Sequence, residues 1–150
     1  MNLANLYLSS KGRISRKAFW IGTAGLFVWS ILVFVVLWTI FGPFLVQNFF
    51  GRLIGFVFTV PTIYFGYHLA AKRFNDRGRP IICAQVGAGV ALIKSVTDLV
   101  RITGDVHSQN VLDQIFVLAV TGIALWYFIE LGLMRGTVGP NAHGEDPEPS

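Results

Sequence analysis

Charge is what this chain has least of. Only 13% of its 150 residues are Asp, Glu, Lys or Arg, whereas a water-soluble domain carries about 25%. So few charges cannot clothe a surface that faces water on every side. Cysteine is nearly absent as well: the single Cys83 excludes an internal disulfide and any Cys-based zinc or iron–sulfur cluster. Also missing are a Walker loop, an H-E-x-x-H pair and a Gly-x-Ser-x-Gly elbow, so no catalytic signature is visible. In their place the chain has 53% hydrophobic residues and a mean hydropathy of +0.59. That excludes disorder, which requires low hydrophobicity and high charge. The composition describes a membrane protein.

A helix needs roughly 20 apolar residues to cross a hydrocarbon core about 30 Å thick. Four runs qualify and define a single domain of residues 1–150. The first, Ala18 to Phe41, has no charged residue and stops at Gly42-Pro43. It exceeds the apolar core of about 7–15 residues in a cleavable signal peptide and lacks an A-x-A-like site, so it is expected to remain in the mature protein. The second, Leu53 to Ala71, contains Pro61. The third, Ile81 to Val100, carries Lys94 and Asp98, and the fourth, Val111 to Met134, carries Asp113 and Glu130. Phe44–Phe50 would make the second helix too long for the bilayer core. It reads as an interfacial turn, with a tilted long helix as the alternative. The expected fold class is all-α: an integral membrane four-helix bundle with a short N-terminal interfacial helix and an irregular C-terminal tail.

The basic residues set an orientation. Lys11, Arg13, Arg16 and Lys17 precede the first span, Lys72, Arg73, Arg77 and Arg79 separate the second and third, and Arg135 follows the fourth. All fall on one side, with segments 1–17, 72–80 and 135–150, while the other side has Arg52 and Arg101 beside Asp105. Positive-inside bias makes the basic side cytoplasmic, with both termini inside. Trp20, Tyr64, Tyr67, Trp126 and Tyr127 form an aromatic belt there, and Trp38 lies near the outer interface. A basic charge gathered at helix ends, rather than along one soluble face, argues against nucleic acid as a partner. Leu3, Leu6 and Tyr7, opposite Asn2, Asn5, Ser9 and Ser10, suit a helix lying in the inner interface. Ser15 is the expected N-cap of the first span. Stripes of small residues (Thr62, Gly66 and Ala70; Ala84 and Ala88; Gly87 and Ala91) are expected to let helices approach closely.

Three cytoplasmic segments hold most of the polar chemistry: Gly12 to Trp20, Ala71 to Pro80 and Gly136 to Pro147. Gly12, Arg13, Arg16, Phe19 and Trp20 follow the pattern G-R-x-x-R-x-x-[FYW]-W. Arg73, Asp76, Gly78 and Arg79 follow R-R-L-H-D-x-G-R, and Gly139, Asn141, Gly144, Asp146 and Pro147 follow G-x-N-x-[FY]-G-x-D-P. In these motifs and their order the chain resembles domain-of-unknown-function family 805. Lys72, Phe74, Asn75 and His143 depart from the pattern. The resemblance implies a small four-span protein of the bacterial inner membrane, and no established activity.

Read physically, Asp76 and Asp146 are acceptors for Arg13, Arg16, Arg73 or Arg79, with Arg77 and Arg79 expected to be left over for headgroups or a partner. Together with Asn141 and His143 these residues form a candidate lipid- or partner-binding cluster, since guanidinium groups bind anions in bidentate fashion. The spacing of Asp76, His143 and Asp146 matches no metal template, and no cofactor is expected. Lys94 is expected to pair with Asp98 or Asp113, and Glu130 with His68 or an arginine. The favoured function is a non-enzymatic scaffold or accessory subunit, within a larger membrane complex or on anionic lipid. One alternative is a small transporter or channel using Lys94, Asp98, Asp113 and Glu130. Another is a lipid-phosphate enzyme with Asp76 and His143 as acid and base.

Overall fold

The computed structural model describes residues 3–101 and 110–147, with side chains from Asn5 onward. The placements of Asn2, the Leu3 side chain and Asp105 lie outside the described residues. The chain forms α1 (Leu3–Leu8), α2 (Arg16–Phe41), α3 (Phe44–Gln47), α4 (Phe49–Asp76), α5 (Ile82–Val100) and α6 (Val111–Tyr127). A π-helical turn (Phe128–Leu133) continues α6. The fold is an all-α bundle in which α2, α4, α5 and α6 with its π-helical turn are long and apolar enough to cross a membrane. A tail without helix follows Leu133.

Local rules account for most helix ends. Ser15 caps α2 by accepting from the Ala18 N–H at 3.2 Å, and Gly42, at φ 51°, ends it. α6 opens with a capping box in which Asn110 and Asp113 exchange side chain–backbone bonds of 3.1 and 3.0 Å. Residues 44–50 divide: α3 is a single turn, Asn48 is extended, and Phe49 and Phe50 begin α4.

One boundary differs from the sequence expectation. α4 does not stop at Ala71 but runs through Lys72, Arg73, Phe74 and Asn75 to Asp76, a length of 28 residues or about 42 Å. The extra turn is helical because its polar side chains have partners inside the fold instead of water. α1 packs one side on the bundle, with Leu8 left 55% exposed. Leu6 is 1% exposed, and the Tyr7 hydroxyl donates to the Gly22 carbonyl at 3.0 Å. Gly22 makes room, since a Cβ there would meet Leu69 at 2.7 Å and Leu6 at 3.4 Å.

The core lies at one end. Leu6, Ile14, Phe19, Leu69, Ala70, Ala71, Phe74, Ala84 and Leu131 form one buried cluster, all near the ends of α2, α4, α5 and α6 that carry the three polar segments. We call this the polar end. At the opposite, far end most large apolar side chains face outward, as Phe34, Val35, Ile40 and Phe50 do.

Candidate functional site

The last turn of any helix leaves carbonyls without intrahelical donors, and near hydrocarbon there is little water to supply them. The exit of the fourth span answers this need one carbonyl at a time. Leu131 O accepts from Arg73 Nε at 2.8 Å, Gly132 O from Trp20 Nε1 at 3.1 Å and Leu133 O from Arg16 Nη1 at 3.3 Å. Met134 O accepts from Arg73 Nη2, and Arg135 O from Arg77 Nη1. Cationic donors also complement the negative end of the helix dipole. The π-helical geometry directs these consecutive carbonyls toward α2 and α4, and thereby locks the exit of the fourth span to both.

Arg13 ties the three polar segments together. Its Nε donates to Asp76 Oδ1 at 2.9 Å, Nη2 to Thr137 O at 2.6 Å, and Nη1 to Gly139 O and Gly144 O at 2.7 and 3.1 Å. Asp146 lies 3.9 Å from the same guanidinium and accepts from the Gly139 N–H at 3.0 Å. One planar cation thus engages a carboxylate from α4 and most of the tail's turn. Asp76 also accepts from Arg73, and its backbone oxygen receives the Thr137 N–H and hydroxyl at 2.8 and 3.0 Å. Gly136 lies so close that a Cβ would overlap the Asp76 carboxylate, so only glycine fits there.

Asn75 and Asn141 extend the lock. Asn75 Nδ2 donates to Ser10 O and Gly12 O at 2.9 and 3.1 Å, and Asn141 Nδ2 donates to Asn75 O at 3.1 Å. Lys72 donates to the Asn5 carbonyl of α1 and to its side chain at 3.1 Å. Tyr7, also on α1, has its phenol pKa raised by burial, which keeps the hydroxyl a donor.

Several expectations are corrected here. Arg77 and Arg79 are not left over: their Nε atoms donate to Glu130 Oε1 at 3.2 and 3.1 Å. Glu130 therefore meets arginines and not His68, whose ring lies against Tyr64 and Tyr67 with a buried, unpartnered Nδ1. Asp76 is held by two arginines, and His143 is exposed, with its backbone N–H bonded to Asn141 Oδ1 at 2.8 Å. Lys94 pairs with Asp98 one turn on, while Asp113 serves the α6 cap instead. Among the described residues, no three His, Cys, Asp or Glu side chains gather as a metal-binding group.

Some contributors were missed in the sequence. Trp20 was read as an interfacial anchor and a motif residue, and its indole N–H as a carbonyl donor has no sequence signal. Thr137 and Asn75 likewise act through tertiary contacts. The Asn110-x-x-Asp113 box was missed too, although its spacing is a signal that could have found it.

None of the curated proteins or solved structures compared matches the chain. A family described as a protein of unknown function, DUF805, matches residues 7–145, a stretch that spans Arg13, the carbonyl row and the tail's turn. The chain belongs to this DUF805 family.

Proposed function

We propose that this is a non-enzymatic protein of the bacterial inner membrane, a scaffold or accessory subunit whose polar end faces the cytoplasm and binds anionic lipid headgroups. The observation that carries this reading is how the cations are used. Arg13, Arg73 and Arg77 are engaged by Asp76, Asp146, Glu130 and backbone carbonyls. Lys11, Lys17 and Arg135 are exposed on the same end, and Arg79 is 56% exposed although it touches Glu130. An engaged inner layer builds a rigid face, and the outer basic side chains are placed to meet an anionic surface, at about 1 kcal/mol each. The acids and bases of the motifs are pinned by strong pairs, which supports a structural role over catalysis. A transporter needs polar groups at several depths. Lys94, Asp98 and Asp113 lie at the far end and Glu130 at the polar end.

The test is a Lys11→Ala, Lys17→Ala, Arg135→Ala variant of the full chain in mixed phosphatidylglycerol and phosphatidylcholine, with retained lipid identified by native mass spectrometry. The variant is expected to lose its preference for phosphatidylglycerol while keeping its melting temperature. An unchanged preference overturns the headgroup reading, and a co-purifying protein lost in the same variant would reassign the face to a protein partner. A periplasm-only reporter fused after Pro147 is expected to be silent.

A further inference from the structure

The ion pairs of the polar end take up Arg13, Arg73, Arg77 and Arg79. Lys72 is the exception. It is 3% exposed, yet among the described residues it has no carboxylate partner. Its ammonium donates to the Asn5 carbonyl oxygen and to the Asn5 side-chain oxygen at 3.1 Å. Both acceptors are neutral, and both belong to α1. Helical side chains lean toward the N-terminus of their helix, so Lys72 is also directed away from the terminal carbonyls of α4. An ammonium taken out of water without a counter-ion destabilises the state that buries it.

Docking of α1 therefore combines opposed contributions. The burial of Leu6 and the bond from the Tyr7 hydroxyl to Gly22 O favour it, while the seclusion of Lys72 opposes it. The helix has six residues, too few to persist without such contacts. The chain that follows is fixed independently of it. Asn75 holds Ser10 O and Gly12 O at 2.9 and 3.1 Å, and Arg13 holds Asp76. Ser9 and Ser10 are not helical, so α1 can swing about them while those bonds stay intact. Once free, Leu6, Tyr7 and Leu8 have a place in the bilayer interface, as the apolar side of an amphipathic segment does.

We propose that α1 is a releasable strap over Lys72, and that a phosphate group at the membrane surface drives its release by pairing with the uncovered ammonium. A ligand that binds only the open state shifts the population toward it. A phosphate supplies the opposite charge that Asn5 lacks. The strap rests on the contacts of α1 alone, and only the lipid as the source of the phosphate rests on the headgroup reading above.

The experiment is hydrogen exchange of the full chain in nanodiscs, read at the amides of Tyr7 and Leu8, with those of α4 as the internal reference. Lys72→Met keeps an apolar stem and removes the charge. Asn5 is exposed, so water can serve its oxygens in that variant. In phosphatidylcholine, Lys72→Met is expected to slow exchange of α1 by about tenfold or more. A lysine that merely anchors α1 gives the opposite sign, so faster or unchanged exchange overturns the strap. Should this variant fail to fold, Lys72→Gln carries the same test of sign. Replacing part of the phosphatidylcholine by phosphatidylglycerol should speed exchange of α1 in the wild-type chain, and Asn5→Asp, which supplies a carboxylate, should suppress that response. Free inorganic phosphate added to the phosphatidylcholine discs identifies the source: release by it alone assigns the site to a soluble phosphate. No response of the wild-type chain to either source overturns the trigger. The Lys11→Ala, Lys17→Ala, Arg135→Ala variant separates this inference from the headgroup reading. If it keeps its lipid preference and α1 still responds to phosphatidylglycerol, the strap stands and that reading fails. If it loses the preference while wild-type α1 is indifferent to the lipid, that reading stands and the lipid trigger fails.

Discussion

At the polar end, Arg13, Arg73 and Asp76 are almost fully buried and bonded across three segments far apart in sequence. At the far end, Lys94 and Asp98 form their pair within one helix, with side chains 28% and 48% exposed. The first set of charges joins elements, whereas the Lys94–Asp98 pair lies within α5. The apolar side chains show the same division, since the buried core lies at the polar end and the far end turns its large side chains outward. In lipid, apolar burial supplies little drive to bring helices together, because tails are as apolar as leucine. Polar bonds and close packing must do so, and this chain concentrates its polar bonds at one end.

The sharpest way to break this contrast is Asp76→Ala. It leaves Arg13 and Arg73 without their shared carboxylate, and removing one partner of a buried ion pair costs about 3–5 kcal/mol. Thermal unfolding of the purified chain should show a large drop in melting temperature, and proteolysis should cut sooner within residues 136–147, which Arg13 holds. A loss under 1 kcal/mol would mean that the polar end does not hold the bundle.

A smaller loss is expected for Glu130→Gln. Glu130 receives Arg77 and Arg79, but Arg79 is 56% exposed and water can replace its partner. Arg77 also keeps its bond to Arg135 O. The expected cost is about 1–3 kcal/mol, below that of Asp76→Ala. If thermal unfolding reverses this order, Glu130 and not Asp76 is the central carboxylate of the polar end.

How far the sequence foretold these ends follows from the range of the interactions. Hydropathy is a local sum, so the apolar spans could be read directly, and the Ser15 cap needs only its next three residues. The Lys94–Asp98 pair lies one turn apart and was one of two partners the sequence offered, the other being Asp113. The end of α4 was not: Lys72, Arg73, Asn75 and Asp76 look like loop residues until their partners Asn5, Leu131, Ser10 and Arg13 come into place. The partner of Glu130 was only half specified, because two helices and a turn can bring either His68 or arginines to its depth, and no spacing chooses between them. The π-helical turn leaves no pattern either, as its geometry depends on donors from α2 and α4. The three polar motifs were legible as a group, whereas the role of Arg13 as their common donor required the fold.

The smallest effect tests the other side of the contrast. An unpaired ammonium at membrane depth costs about 2.5 kcal/mol or more, so Lys94 appeared in the sequence to depend strongly on its partner. The structure places the pair near the far end of α5 with substantial exposure on both side chains. There the lysine can extend to the interface, and an exposed i,i+4 pair contributes only about 0.3–0.5 kcal/mol. Lys94→Met should therefore lower stability by no more than about 0.5 kcal/mol. Lys94→Met with Asp98→Leu should be neutral or slightly stabilising, since both charges leave the lipid boundary together. Thermal unfolding of the two variants beside Asp76→Ala decides the matter. If Lys94→Met approaches the Asp76→Ala loss, Asp98 is more secluded than its exposure indicates, and the far end too is held by charge.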